Sequence, residues 1–208
     1  MRVALVVVAT ILFLSACSTE TAPPSAQSTA PVIAPGRPGE VAKTISPSEA
    51  ATIVPSPTAN AADVKYVQDM IVHHRQALDM AVLAPSRADS GKLKGLAARI
   101  KDAQGPEIQY MTAWLQQQGL QAPDHHTGHT NMPGMATPEQ MEALRAASGK
   151  DFDRLFLTLM IAHHRGALTM SEQVLVSGSH IKVEELANDV SVTQSGEIRR
   201  MLEMQAAL

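Results

Sequence analysis

The chain has 208 residues, 45% apolar, 18% charged and only 3% aromatic, with a formal net charge of −3. Any core must be built mainly from Ala, Leu, Ile, Val and Met, and the slightly acidic balance lacks the basic footprint that binding a nucleic-acid backbone requires. A single cysteine excludes an intrachain disulfide framework, a Cys-rich zinc site and an iron–sulfur cluster.

Residues 1–16 open with Met-Arg, run almost wholly apolar from Val3 to Leu14, and end in Ser15-Ala16. This is the architecture of an export signal, and it is too short for the roughly 20 apolar residues of a membrane-spanning helix. Leu14-Ser15-Ala16-Cys17 resembles a bacterial lipobox, which makes Cys17 a lipidated residue anchoring the mature chain to the outer face of the cell membrane. Residues 17–60 hold eight of the 13 prolines and no aromatic residue. They read as a disordered tether rich in Pro, Ser, Thr and Ala, because such a segment cannot bury enough apolar surface to fold.

Residues 61–208 contain a repeat at a constant offset of 90 positions. Asp63, Met70-Ile71, His73-His74-Arg75, Ala77-Leu78 and Met80 recur as Asp153, Met160-Ile161, His163-His164-Arg165, Ala167-Leu168 and Met170. Further along, Leu96-Ala97, Gln104, Glu107-Ile108 and Met111 recur as Leu186-Ala187, Gln194, Glu197-Ile198 and Met201. At 100° per residue the apolar positions of each block share a helical stripe, and the histidines fall on it or at its edge.

Each copy is therefore a pair of antiparallel helices, turning near Pro85 to Asp89 in the first and near Ser177 to His180 in the second. Two such hairpins bury their faces against each other as an all-α, four-helix bundle: repeat one at 61–119, a connection at 120–150, repeat two at 151–208. Thr137-Pro138-Glu139 predicts a short helix inside the connection. Pro106 predicts a kink or break just before Glu107, and Ser195-Gly196 loosens the matching place. Asp63 and Asp153 are expected to cap helices, Arg75 and Arg165 to be solvated, and Met80, Met170 and Met204 to pack.

Two groups of residues carry metal-binding chemistry. The first is His73, His74, His163 and His164 with Glu107 and Glu197, the methionines Met70, Met111, Met160 and Met201, and Gln104 and Gln194 as supports. Imidazole suits copper, zinc and iron, thioether favours Cu(I), and a carboxylate can ligate the ion or orient a ring. A buried hydrogen-bonded network without an ion explains the same residues equally well, because buried polar groups need partners in any case. The second group is His125, His126, His129, Met132 and Met135 in the connection, a compositional metal-binding signal in which sulfur beside imidazole puts copper ahead of zinc or iron. A solvated loop with methionines packed on the bundle is its alternative.

No Glu is followed three positions later by His, which removes the ferritin-type di-iron helix pair, and no zinc-protease, nucleophile-elbow or phosphate-loop motif occurs. No catalytic residue is assigned. A metal-dependent oxidoreductase and a structural or interaction module of the envelope stand as alternatives to copper sequestration or transfer.

The doubled Met-Ile-x-His-His signature, the Gln-x-x-Glu-Ile-x-x-Met blocks and the linking Met132-Pro133-Gly134-Met135 resemble the domain of unknown function 305 family of exported bacterial proteins. The resemblance covers about Ala61 to Ala207. It implies a ferritin-like helical bundle and, for some members, periplasmic copper binding and copper tolerance. By matching position it points to the histidine pairs, to Met70 and Met160, and to the Met-Pro-Gly-Met segment. Tyr66 stands where Phe is usual.

Overall fold

The computed structural model describes residues 31–34, 41–53, 58–124 and 132–208. The export signal, Cys17, His125, His126 and His129 lie outside the described residues. The chain divides into two compact units, Met1–Pro55 and Ser56–Leu208.

In the first unit, β1 (Val32–Ala34) pairs antiparallel with β2 (Lys43–Ile45), Val32 facing Ile45. Helix α1 (Pro47–Ile53) follows, with Ser46 and Glu49 bonding each other's backbone N–H in a capping box. The tether reading expected no regular structure here. Short β-branched runs and one capping pair suffice to form these elements, yet Ile33 and Val41 remain exposed and add no core.

The described residues of the second unit form helices and the short connections between them. Helix α2 (Ala61–Ala81) is opened by an Asn60–Asp63 capping box. A short α3 (Ala84–Arg87) fills the turn before α4 (Gly91–Gln117), whose N-cap is Ser90. In the connection, α5 (Pro138–Ala146) starts where Thr137 and Gln140 form a further capping box and Pro138 occupies the first turn. Helices α6 (Gly149–Ser177) and α7 (Ile181–Ala206) complete the unit. Helix α2 packs on α4 and α6, and α6 on α7. No described helix is long and apolar enough to cross a membrane.

The break expected before Glu107 does not occur. Helix α4 runs through Pro106 without interruption, and α7 runs through Ser195-Gly196. Pro106 and Asp102, whose carbonyl loses its helical donor, are both exposed, so water can satisfy what the proline removes.

The core consists of two apolar clusters. One combines Ala77, Met80, Leu96, Ile100, Phe152, Phe156, Met160 and Met201 with their neighbours. The other combines Tyr66, Met70, Met111, Trp114, Met170, Val183 and Ala187 with theirs. The first half of α2 shares a cluster with the second half of α4, and the same holds for α6 and α7, so each pair is antiparallel. On all four long helices a polar stretch separates the residues of one cluster from those of the other. Met80 and Met170 are buried, and Met204 packs half-buried against the first cluster, as their spacing predicts.

Asp63 and Asp153 are both almost fully buried; Asp63 belongs to the capping box of α2 and reaches further, whereas Asp153, expected to cap, lies inside α6 and does not cap it. Asp63 bonds the Asn60 N–H at 2.8 Å and also accepts from the Ser179 N–H at 3.1 Å, in the α6–α7 turn. Asp153 accepts from the Asp89 and Ser90 N–H groups at 3.1 and 2.8 Å, at the start of α4. Each aspartate thus holds the turn of the other helix pair.

Candidate functional site

The polar stretches between the two clusters hold His73 and His74 on α2, Gln104 and Glu107 on α4, His163 and His164 on α6, and Gln194 and Glu197 on α7. All four histidines are fully buried, and the two glutamines nearly so. Helical spacing puts them on the inward stripe; burial then forces each polar atom to find a partner or to cost free energy.

Half of the imidazole nitrogens find one. His74 Nε2–H donates to Glu107 Oε2 and His164 Nε2–H to Glu197 Oε2, both at 2.7 Å. His163 Nε2–H donates to the His73 backbone carbonyl at 2.9 Å, and His73 Nε2–H to the Pro133 carbonyl at 3.1 Å. A carbonyl or carboxylate oxygen accepts, so each ring carries a proton on Nε2, and in a neutral ring that leaves the lone pair on Nδ1. None of the four Nδ1 atoms has a hydrogen-bond partner, and neither do the amide oxygens and nitrogens of Gln104 and Gln194. The His73 and His163 rings lie with centroids 3.7 Å apart.

Burial favours the neutral form of His73, His163 and His164. Burial, reinforced by neighbouring His74, pushes His73 down to about 3. Burial and the surrounding histidines hold His163 well below its usual value. His164 is also lowered by burial, against the opposing pull of Glu197. A neutral imidazole with a free lone pair is the ligand form of histidine. The two His–Glu pairs differ in access: the Glu107 side chain is 25% exposed and that of Glu197 only 6%.

Met70, Met111, Met160 and Met201 are fully buried, divided between the two clusters that flank the polar stretches. Among the described residues no three His, Cys, Asp or Glu side chains are arranged to hold a metal ion. The nitrogen donors are present and unpartnered, but they are not drawn into a ready-made polyhedron.

The Met132-Pro133-Gly134-Met135 turn docks against this layer by its backbone. Besides the Pro133–His73 bond, Gln76 on α2 exchanges two hydrogen bonds with Ala136, at 2.9 and 2.7 Å. Met132 is half-buried against the second apolar cluster and Met135 is half-buried. Arg75, expected to be solvated, donates to the Pro123 carbonyl at 2.6 Å; Arg165 is exposed. Residues 73–76 of α2 therefore hold the connection at both Pro123 and Pro133–Ala136. Sequence reasoning missed Pro133 as an acceptor, Gln76 and Arg75 as anchors, and the Tyr66–Ser171 hydroxyl contact of 2.9 Å that joins α2 to α6.

A family model described as Domain of unknown function (DUF305) matches residues 63–205. A DUF305 fragment from Deinococcus radiodurans is 35% identical, covers 73% of this chain and 100% of its own, and superposes with a TM-score of 0.67. A protein of Streptomyces coelicolor, named as a secreted DUF305 protein, is 31% identical over 70% of this chain and 93% of its own, with a TM-score of 0.63. CopM in its Cu(II)-bound form is 32% identical over 70% of this chain and 96% of its own, with a TM-score of 0.61. CopM has also been crystallised with Cu(I) and with silver. No curated protein matches the chain.

Proposed function

Since the chain belongs to the DUF305 family, we propose that it is an exported protein that binds copper as cargo, sequestering it or passing it on without turning over a substrate. One observation carries the reading: four buried imidazoles turn Nε2 to oxygen acceptors and leave all four Nδ1 atoms without a hydrogen-bond partner. Lone pairs in an apolar core need donors or an ion. Glu107 and Glu197 stand where an outer carboxylate orients a ligating ring, and the flanking Met70, Met111, Met160 and Met201 offer the soft sulfur that selects Cu(I). That CopM is about as similar to this chain as the two other relatives and takes up Cu(I), Cu(II) and silver supports a soft-metal cargo over zinc or iron.

In this reading the helical unit is a ferritin-like four-helix bundle of two repeated hairpins, and His125, His126, His129, Met132 and Met135 offer a weaker outer site. Lipidation at Cys17 holds the protein on the outer face of the cell membrane, with residues 17–60 as spacer. Mass spectrometry of the membrane fraction tests the anchor: the mature N-terminus should carry lipid mass on Cys17, and a Cys17→Ser chain should be soluble; an unmodified Cys17 removes it. Competitive titration of the protein with Cu(I) and with Zn(II), without oxygen, tests the cargo. Saturable Cu(I) binding tighter than Zn(II) is expected, and equal weak binding of both overturns the proposal.

A further inference from the structure

The repeat makes His73 and His163 equivalent in sequence, yet the structure completes them differently. His163 Nε2–H donates to the backbone of the facing helix, at His73 O. His73 Nε2–H has no such helical acceptor and bonds Pro133 O in the connection. For this to happen the turn must come very close to α6. Gly134 has φ +76°, a conformation natural to glycine, and a Cβ there would collide with Ala162 O and lie 3.0 Å from Gly166 Cα. A Cβ on Gly166 would in turn collide with Pro133 O and lie 2.9 Å from Gly134 Cα. Two glycines, one in the turn and one in the helix, thus let two backbones touch. Gln76 fixes the turn from the α2 side through both the N–H and the carbonyl of Ala136.

We propose that the Met132–Met135 turn is a clasp that positions His73: its Pro133 carbonyl holds the ring as the Nε2–H tautomer and aims the Nδ1 lone pair inward. Gly134, Gly166 and Gln76 are positioning residues for that ring. What the segment contributes to the His73 ring is a backbone oxygen, independent of its two sulfur atoms. The inference rests on the copper reading for its consequence, but its structural part stands without metal. Loss of an outer-sphere partner of a ligating histidine typically costs 10- to 100-fold in metal affinity.

The test is long-range nitrogen–proton NMR of the histidine rings in the metal-free protein, followed by Cu(I) titration. In the parent protein and in Met132→Leu/Met135→Leu, His73 should be a single Nε2–H tautomer. In Gly166→Ala it should become a tautomer mixture while His163 keeps its own, with at least about tenfold weaker Cu(I) binding. Gln76→Leu, a half-buried change that adds no bulk to the glycine contact, should move His73 in the same direction with helix content unchanged. A single His73 Nε2–H tautomer in both Gly166→Ala and Gln76→Leu, or an Nδ1–H ring in the parent, overturns the clasp. Absence of Cu(I) binding in every variant, with the tautomer shifts present, removes the copper reading and leaves the clasp standing.

Discussion

At the scale of single residues, the two His–Glu pairs have the same geometry but different surroundings. Both bonds are 2.7 Å, yet Glu107 reaches solvent and Glu197 is sealed. Removing a buried acceptor leaves its donor unsatisfied, which costs about 1–3 kcal/mol, whereas water can replace an acceptor at an open site. Glu197→Ala should therefore lower stability by about 1–3 kcal/mol and Glu107→Ala by clearly less, as read from urea unfolding midpoints. Equal losses would mean that the sealed pair is no more dependent on its carboxylate than the open one. The sequence makes both pairs visible, because the repeat places each Glu 33 positions after its His. It does not reveal the difference in exposure, which depends on how neighbouring helices cover α4 and α7.

At the scale of elements, Asp63 and Asp153 join the two helix pairs through each other's turns. The repeat marks both aspartates as special, but a capping role within the helix is as far as spacing leads. Asp153 lies too far into α6 to cap it and instead meets the N–H groups at the head of α4, a contact that exists only once the pairs have docked. Asp153→Ala would strand the Asp89 and Ser90 N–H groups in a half-buried place, and should cost about 1–3 kcal/mol in the same unfolding measurement with the far-ultraviolet spectrum unchanged. A change within about 0.5 kcal/mol would reduce the contact to a surface interaction. Pro106 teaches the opposite lesson. A local rule predicts a break, but the exposed side of α4 leaves the freed Asp102 carbonyl to water, and packing of Ile100 and Met111 on either side keeps the helix whole. The glycine contact of the clasp was similarly illegible: Gly134 in the Met-Pro-Gly-Met motif and an isolated Gly166 inside a helical stripe are both visible in sequence, but nothing there says that they meet.

At the scale of the whole helical unit, the antiparallel pairs place an apolar cluster at each end and a polar layer between them. Residues 90 positions apart, such as Met70 and Met160 or Met111 and Met201, fall in opposite clusters, whereas His73 and His163 meet in the layer between them. The layer sacrifices apolar burial on all four helices at once, and its unpartnered nitrogens and amides are costly without a ligand. A bound ion would offset that cost. Ligand binding to the folded state alone raises stability by RT ln(1 + [L]/Kd), so a tight cargo would offset what the layer takes from the metal-free fold. The residues of the layer were all named from sequence, whereas their tautomers and the turn that sets one of them required coordinates.

The measurement that bears most directly on this account is Cu(I) affinity and stoichiometry of the intact protein against a competing chelator, compared with a His74→Gln/His164→Gln variant. Glutamine keeps an N–H for each glutamate and removes the Nδ1 lone pairs. Binding should be saturable and should weaken by at least about tenfold in the variant while its helix content is preserved. Unchanged affinity and stoichiometry in the folded variant would contradict the copper reading and return the four histidines to a purely structural network.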